Sequence, residues 1–328
     1  MSKGLTDIDG ILVGHASDFE GLTGCTAILC PRGATAGVDV RGSAAGAAEL
    51  EVMNPLHVAS HVHGVVLAGG SAFGLEAASG VRRFLEKKDI GFPTGVAKVP
   101  IVPCAILFDL AIGSAAARPT REMGEAAAAA ASDGPVKEGA VGAGTGLTVG
   151  KLLGMGNAMK SGIGSATVWL DGELAGVRVA ALAAVNAMGD VRDAETGRLV
   201  AGTRETPESL DLADSSAILK SRSKASGFEA FNTTLVVVAT NAKLSKVGAT
   251  KLAQLASLGV ARSIQPVWTM SDGDVTFALS VGNESAPVDA LGVAAAEAVS
   301  AAILRAVRLA PTMGGVPGLL SSESIRLR

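Results

Sequence analysis

The run Phe231-Asn232-Thr233-Thr234-Leu235-Val236-Val237-Val238-Ala239-Thr240 constrains this chain more than any other stretch. Its β-branched and apolar residues predict a buried strand over Leu235 to Thr240. Thr233 then lies at the strand's entrance, held by a rigid element, which suits a nucleophile. A threonine hydroxyl is a poor nucleophile unless a base takes its proton, and one solution makes that threonine the first residue of a chain, with its own α-amine as base. A free α-amine titrates near ~8; the amide nitrogen of an intact Asn232-Thr233 bond cannot serve. The hydroxyl must therefore first attack the carbonyl of Asn232, so that the protein is made as a precursor and works as two pieces. Asn and Thr ahead of a strand are equally ordinary turn and cap residues, so the choice rests on the remainder of the chain.

At 328 residues, 48% hydrophobic but only 3% aromatic and without tyrosine, the chain is long enough for one large domain or two and favours close packing of backbone layers. A net charge of −3 leaves no basic stripe to neutralise phosphates, so nucleic acid is not an expected partner; small molecules or peptides are. No signal-peptide core opens the sequence and no stretch reads as apolar for long enough to span a bilayer, which predicts a cytoplasmic protein without membrane contact. Cys25, Cys30 and Cys104 read as reduced, buried thiols. Their odd number argues against a disulfide framework, and Cys25 with Cys30 lacks the spacing of a zinc knuckle.

Short strands broken by glycine turns are expected over Ile11 to His15, Gly24 to Cys30 and Gly37 to Val40. Further strands are expected at Gly164–Leu170, Gly176–Leu182 and Asp274–Ser280, and helices at Met123–Ser132, Leu244–Leu258 and Val288–Leu309. Strands gathered in blocks flanked by helices favour a layered α+β sandwich over a doubly wound parallel sheet. His57, His61 and His63 tempt a metal reading, but no acidic ligand accompanies them, and interface or cap roles fit better. The turn Gly69-Gly70-Ser71 exposes amides that can hold an anion. Gly142-Ala143-Gly144-Thr145-Gly146 lacks the third glycine of a dinucleotide fingerprint, and Gly150-Lys151 is followed by Leu152 rather than a hydroxyl residue; tight packing explains both. The polar stretch from Asp190 to Gly227, including Arg222-Ser223-Lys224, reads as an exposed loop ahead of the scissile bond.

A nucleophile at Thr233 still needs oxyanion donors and groups to orient it. The candidates are Asn186 at a strand end, Lys160 in a glycine-rich turn, and the carboxylates of Asp272-Gly273-Asp274. In this order, Lys160, Val185-Asn186, Asn232-Thr233-Thr234 and Asp272-Gly273-Asp274 resemble the DmpA group of self-processing hydrolases, which includes L-aminopeptidase/D-esterases, β-aminopeptidases and nylon-oligomer hydrolases. The likeness extends from Gly4-Leu5-Thr6-Asp7 and Ile11-Leu12-Val13-Gly14-His15 through Ala68-Gly69-Gly70-Ser71-Ala72-Phe73-Gly74-Leu75, Val99-Pro100-Ile101-Val102-Pro103 and the Gly142 to Gly146 run.

The resemblance implies one hydrolase domain over residues 1–328, built as an αββα four-layer sandwich like that of ornithine acetyltransferases. It further implies autocleavage into an α part, 1–232, and a β part, 233–328, assembled as a homotetramer of such pairs. Asn-Thr cleavage and the Asp-Gly-Asp pair are most similar to the nylon-oligomer hydrolase branch. On this reading Thr233 is the nucleophile, Lys160 and Asn186 support it and hold developing charge, and Asp272 and Asp274 orient it, with no metal and no cofactor. The β-aminopeptidases carry a tyrosine hydroxyl near the acyl group where this chain has Phe108, which cannot donate to an oxyanion. Two rival readings are acyl transfer of the ornithine acetyltransferase type and an uncleaved ligand-binding or scaffold role.

Cleavage is checked by intact mass and N-terminal sequencing: two fragments are expected, the smaller beginning Thr-Thr-Leu. Thr233→Ala abolishes the cut and Thr234→Ala does not.

Overall fold

The computed structural model describes residues 3–221 and 232–320; Phe231 and Arg222-Ser223-Lys224 lie outside them. The principal elements are β1 (Leu12–Asp18), β2 (Thr23–Val40), β3 (Val62–Ala68), α1 (Glu76–Lys87), β4 (Cys104–Ile106), α2 (Arg121–Ala129), β5 (Ile163–Trp169), β6 (Arg178–Asn186), β7 (Thr233–Ala242), α3 (Lys246–Ser263), β8 (Val275–Glu284) and α4 (Val288–Arg308). The strands run in the order β5-β6-β7-β8-β2-β3-β4, with β1 on the other edge of β2's first half. The separate short strands expected over Gly24 to Val40 are one 18-residue strand. Its first half pairs with β1 and β3, and its second half with β8, so β2 passes from one sheet into the other.

Side-chain alternation explains the layering. On β7, Leu235, Val237 and Ala239 point the same way as Leu182 and Ala184 of β6 and Phe277 of β8, and meet Ile28, Val65 and Leu67 of the facing sheet. Val236 and Val238 point oppositely, against Leu252 and Ala256 of α3 and Leu291, Ala295 and Val299 of α4. On the far face of the first sheet, Ala27 and Val66 pack on Ala77, Val81 and Ala127 of α1 and α2. Helices, two sheets and helices thus stack as the expected αββα sandwich, and a chain poor in aromatics fills it with alanine and valine.

Two expectations are corrected. The 21-residue α4 is long and apolar enough to cross a membrane by length and composition; it is apolar because Leu291, Ala295, Ala298, Val299, Ala302 and Ile303 are buried against the sheet. The stretch after Asp190 is not simply an exposed loop. Asp190–Arg192 and Leu199–Ala201 form paired strands, and the buried Asp190 carboxylate accepts from the Thr203 and Ser215 amides. Arg204, also buried, donates to the carbonyls of Gly156, Ala158 and Ser209. These charges are inside because each is fully engaged.

The three cysteines are free and buried, and burial pushes each thiol up to about 12. The Nδ1 atoms of His57 and His63 accept from the amides of Ala59 and Ile101, and that of His61 bonds the Ser60 hydroxyl.

Phe277, fully buried between the sheets, is the largest fully buried apolar side chain among the described residues. Phe277→Ala is expected to cost about 3–5 kcal/mol by leaving a cavity, read as a lowered urea midpoint, whereas Val293→Ser on the exposed face of α4 stays within about 0.5 kcal/mol.

Candidate active site

Three strand ends meet at one rim of the sandwich. Because β6 runs antiparallel to β7, its last residue, Asn186, stands opposite the first residue of β7, Thr233. Because β8 runs parallel to β7, the Asp272-Gly273-Asp274 turn that leads into β8 lies beside the same entrance. Thr233 shares the alternation of Leu235, and Asn186 that of Ala184, so both side chains face the gap between the sheets. Thr234 points to the helix side, and its buried Oγ1 has no hydrogen-bond partner among the described residues.

The Thr233 hydroxyl donates to the carbonyl oxygen of Asn232 at 2.6 Å, and the Gly273 N–H donates to the same oxygen at 2.6 Å. Gly273 has no tolerance for a side chain: a Cβ there would lie 2.8 Å from Thr233 Oγ1 and 2.9 Å from the Ala44 carbonyl. The Asp-Gly-Asp turn is clasped from outside by Arg41 and Gly42, whose amides donate to the Asp274 carbonyl, and by Ala44, whose amide donates to that of Asp272. Within it, Asp272 Oδ2 accepts from Thr269 N–H at 2.6 Å, and Asp274 Oδ1 accepts from Thr234 N–H.

The cation in contact with Asn186 is Lys151, which the sequence reading passed over as a failed phosphate-loop lysine. Its Nζ donates to Asn186 O at 2.9 Å and Oδ1 at 2.8 Å. The Thr148 amide donates to the same Oδ1, so Asn186 Nδ2 must be the donor that reaches Phe108 O at 2.8 Å. Lys160 is fully buried nearby, with its ammonium on the carbonyls of Gly144, Leu147 and Ser161. It ties together the glycine-rich turn, and none of these bonds reaches Thr233, Asn186 or the carboxylates. Phe108 lines a small recess with Ile112, Thr148, Lys151 and Met155.

The Gly69-Gly70 turn spends its amide internally: Gly70 N–H donates to the buried Asp109 carboxylate at 2.6 Å, which also accepts from Thr23 Oγ1. In the Gly142 turn, the amides of Gly142 and Ala143 are taken by Ser17 and Thr26 hydroxyls.

Burial dominates the electrostatics. It pushes Asp274 up to about 8, with the neighbouring Asp272 adding to the rise and the Thr234 amide and Lys151 opposing it. Asp272 is raised by burial too. Burial lowers Lys151 to about 7 against the pull of Asp272, Asp274 and Asp109, and lowers Lys160 to about 7. The site therefore collects groups that exchange protons near neutrality, the property that acid-base chemistry requires.

The model of peptidase family S58 matches residues 3–320 of the chain. The chain belongs to peptidase family S58. An uncharacterized aminopeptidase of Mycobacterium leprae (strain TN) is 37% identical over 351 aligned residues, covering 95% of this chain and 92% of the relative. The 6-aminohexanoate-oligomer endohydrolase of Kocuria sp. (strain KY2) is 30% identical, covering 92% and 85%. In fold, the chain is similar to the L-aminopeptidase D-Ala-esterase/amidase from Ochrobactrum anthropi, described as a variant among the Ntn hydrolase fold, with a TM-score of 0.70 at 20% identity over 99% of this chain and 93% of that one. Family S58 is the DmpA-type group, and membership places the chain among amide-bond hydrolases.

The pKa shifts fix signs that stability measurements can check. Between about pH 4 and 8 the folded state holds a proton on Asp274 that the unfolded chain releases, so this group's contribution falls as pH rises through that window. Between about 7 and 10.5 the unfolded chain holds protons that Lys151 and Lys160 have lost, so their contribution rises with pH. In an uncleavable Thr233→Ala background, adding Asp274→Asn is expected to flatten the decline of the urea midpoint between pH 5 and 8, and Lys160→Met to flatten the rise above pH 7.

Proposed function

We propose that this family S58 chain is a self-processing N-terminal-threonine hydrolase that cuts amide bonds of small peptides, amino-acid amides or ω-amino-acid oligomers. The observation that carries the reading is the pair of hydrogen bonds on Asn232 O. The hydroxyl that would attack lies against the carbonyl, and the Gly273 amide sits on the oxygen that would take the negative charge.

In self-cleavage, the buried group of Lys151, Asp272 and Asp274 takes the Thr233 hydroxyl proton, and Oγ1 bonds to the Asn232 carbonyl carbon. The C–N bond then breaks as that proton passes to the leaving nitrogen, leaving an ester and a free Thr233 amine. Water hydrolyses the ester to an Asn232 carboxylate and a free Thr233 hydroxyl. In turnover the freed amine serves as base, an acyl-Thr233 ester forms with release of the substrate's amine, and water completes the cycle. Gly273 N–H is the oxyanion donor in both reactions. Asn186 holds Lys151 in place, so the cationic role moves from Lys160 to Lys151, and the missing Phe108 hydroxyl is not needed for charge stabilisation. The names of the relatives, aminopeptidase and 6-aminohexanoate-oligomer endohydrolase, support the substrate classes. The same reading carries a cytoplasmic homotetramer of α/β pairs working without metal or cofactor.

The two lysines separate the assignments. Lys151→Met is expected to slow both self-cleavage and hydrolysis of amino-acid p-nitroanilides at least ~100-fold, the scale of lost positioned proton-transfer support, with the folded assembly retained by size-exclusion chromatography. Asp272→Asn and Asp274→Asn are expected to act on both reactions in the same direction. Lys160→Met lowers thermal stability while the surviving folded protein still cuts itself; an opposite pattern returns the role to Lys160. Acyl transfer is distinguished by added amines, since hydrolysis is expected to remain the main product route.

A further inference from the structure

In the uncut chain, residue 232 is itself the acyl group presented to Thr233, so whatever holds it defines how an acyl residue is held. Among the described residues, two main-chain hydrogen bonds contribute to this. Asn232 N–H donates to Ser271 O at 3.1 Å, and Asn232 O accepts from Gly273 N–H at 2.6 Å, a parallel bridge to Asp272.

The receiving edge does not depend on residue 232 for its shape. Asp272 O accepts from Ala44 N–H at 2.9 Å, Asp272 N–H donates to Thr269 O at 3.1 Å, and Thr269 N–H donates to Asp272 Oδ2. Gly42 packs so tightly beneath that a Cβ would lie 2.2 Å from Asp274 N and 2.4 Å from Asp272 O. All of Ser271, Asp272 and Gly273 belongs to the segment that follows Thr233, so cutting before Thr233 leaves this edge intact. It then offers one acceptor and one donor at the spacing of a single extended residue, the arrangement by which sheet edges recognise peptides.

We infer that Ser271 O and Gly273 N–H form the acyl-residue subsite, and that the enzyme selects amides of α-substituted acids bearing an N–H or O–H donor on Cα. The inference rests on the proposed attack by Thr233 and narrows its substrate class. An α-amino or α-amido nitrogen, two bonds from the scissile carbonyl carbon, repeats the position of Asn232 N. The amine of a 6-aminohexanoyl group lies at the far end of the alkyl chain and leaves Ser271 O without a donor, and an acceptor deprived of its donor on binding costs affinity.

The test uses the mature protein and four p-nitroanilides: L-alanyl, 2-hydroxypropionyl, 2-methoxypropionyl and 6-aminohexanoyl. The methoxy compound keeps the electron-withdrawing atom on Cα but has no donor, which separates binding at Ser271 O from intrinsic reactivity. The expected result is a kcat/KM for the alanyl and hydroxypropionyl compounds at least ~10-fold above that for the other two, the factor of about one hydrogen bond. A self-cleaved, active protein that turns over the methoxy or aminohexanoyl compound as fast as the alanyl one overturns the subsite and leaves the Thr233 reading standing. A protein that cuts itself but hydrolyses none of the four also overturns the subsite. A chain that neither cuts itself nor hydrolyses any of them overturns both.

Discussion

The parallel pairing of β7 with β8 is the constraint on which the site depends. The other pairs in the run β5-β6-β7-β8-β2 are antiparallel, and an antiparallel partner would bring the end of β8, not its entrance, to Thr233. A parallel pair needs a crossover, and α3 supplies it, packing Leu252 and Ala256 on the sheet's outer face on the way. The same crossover that builds the outer helical layer therefore delivers Asp272-Gly273-Asp274 to the mouth of β7. Antiparallel β6 then brings Asn186 to that point from the other side.

Concentrating polar groups at this rim has an energetic cost that the surroundings offset with hydrogen bonds. Lys151, Lys160, Asp109, Asp272 and Asp274 are all buried, and each carries partners: carbonyls for the lysines, amides or hydroxyls for the carboxylates. Lys160 and Asp109 find partners in glycine-rich turns, at Gly144, Leu147 and Ser161 and at Gly70, whereas Lys151, Asp272 and Asp274 find theirs at Asn186, Thr269 and Thr234. The resulting charges are neutralised or shared at neutral pH, which leaves both proton donors and acceptors within one small region.

Much of this was legible in the residues. Alternating apolar stretches marked β5, β6, β7 and β8, and the resemblance carried the layer order, Thr233, Asn186 and the two carboxylates. What escaped had physical causes. Lys151 sits in the apolar run Val149-Gly150-Lys151-Leu152-Leu153, and a lysine among such neighbours is itself a sign of a buried, engaged cation; testing it only against a nucleotide motif hid that sign. Lys160 stood out for its neighbours Gly162 and Gly164, but its ammonium turns to the carbonyls of Gly144, Leu147 and Ser161. The stretch after Asp190 looked solvated because composition cannot distinguish a polar residue facing water from one like Asp190 or Arg204 satisfied inside. Gly273 was read as part of a turn, whereas its role lies in a main-chain amide, which no side-chain pattern reveals.

The central claim is that the fold alone aims Thr233 at the bond before it and seats the Asn232 carbonyl oxygen on Gly273. A crystal structure of the uncut Thr233→Ala chain tests it most directly. The expected result is Gly273 N within about 3.2 Å of Asn232 O, with Lys151 Nζ on Asn186. An Asn232 carbonyl turned away from Gly273, or a Lys160 ammonium in place of Lys151 beside Asn186, would contradict it.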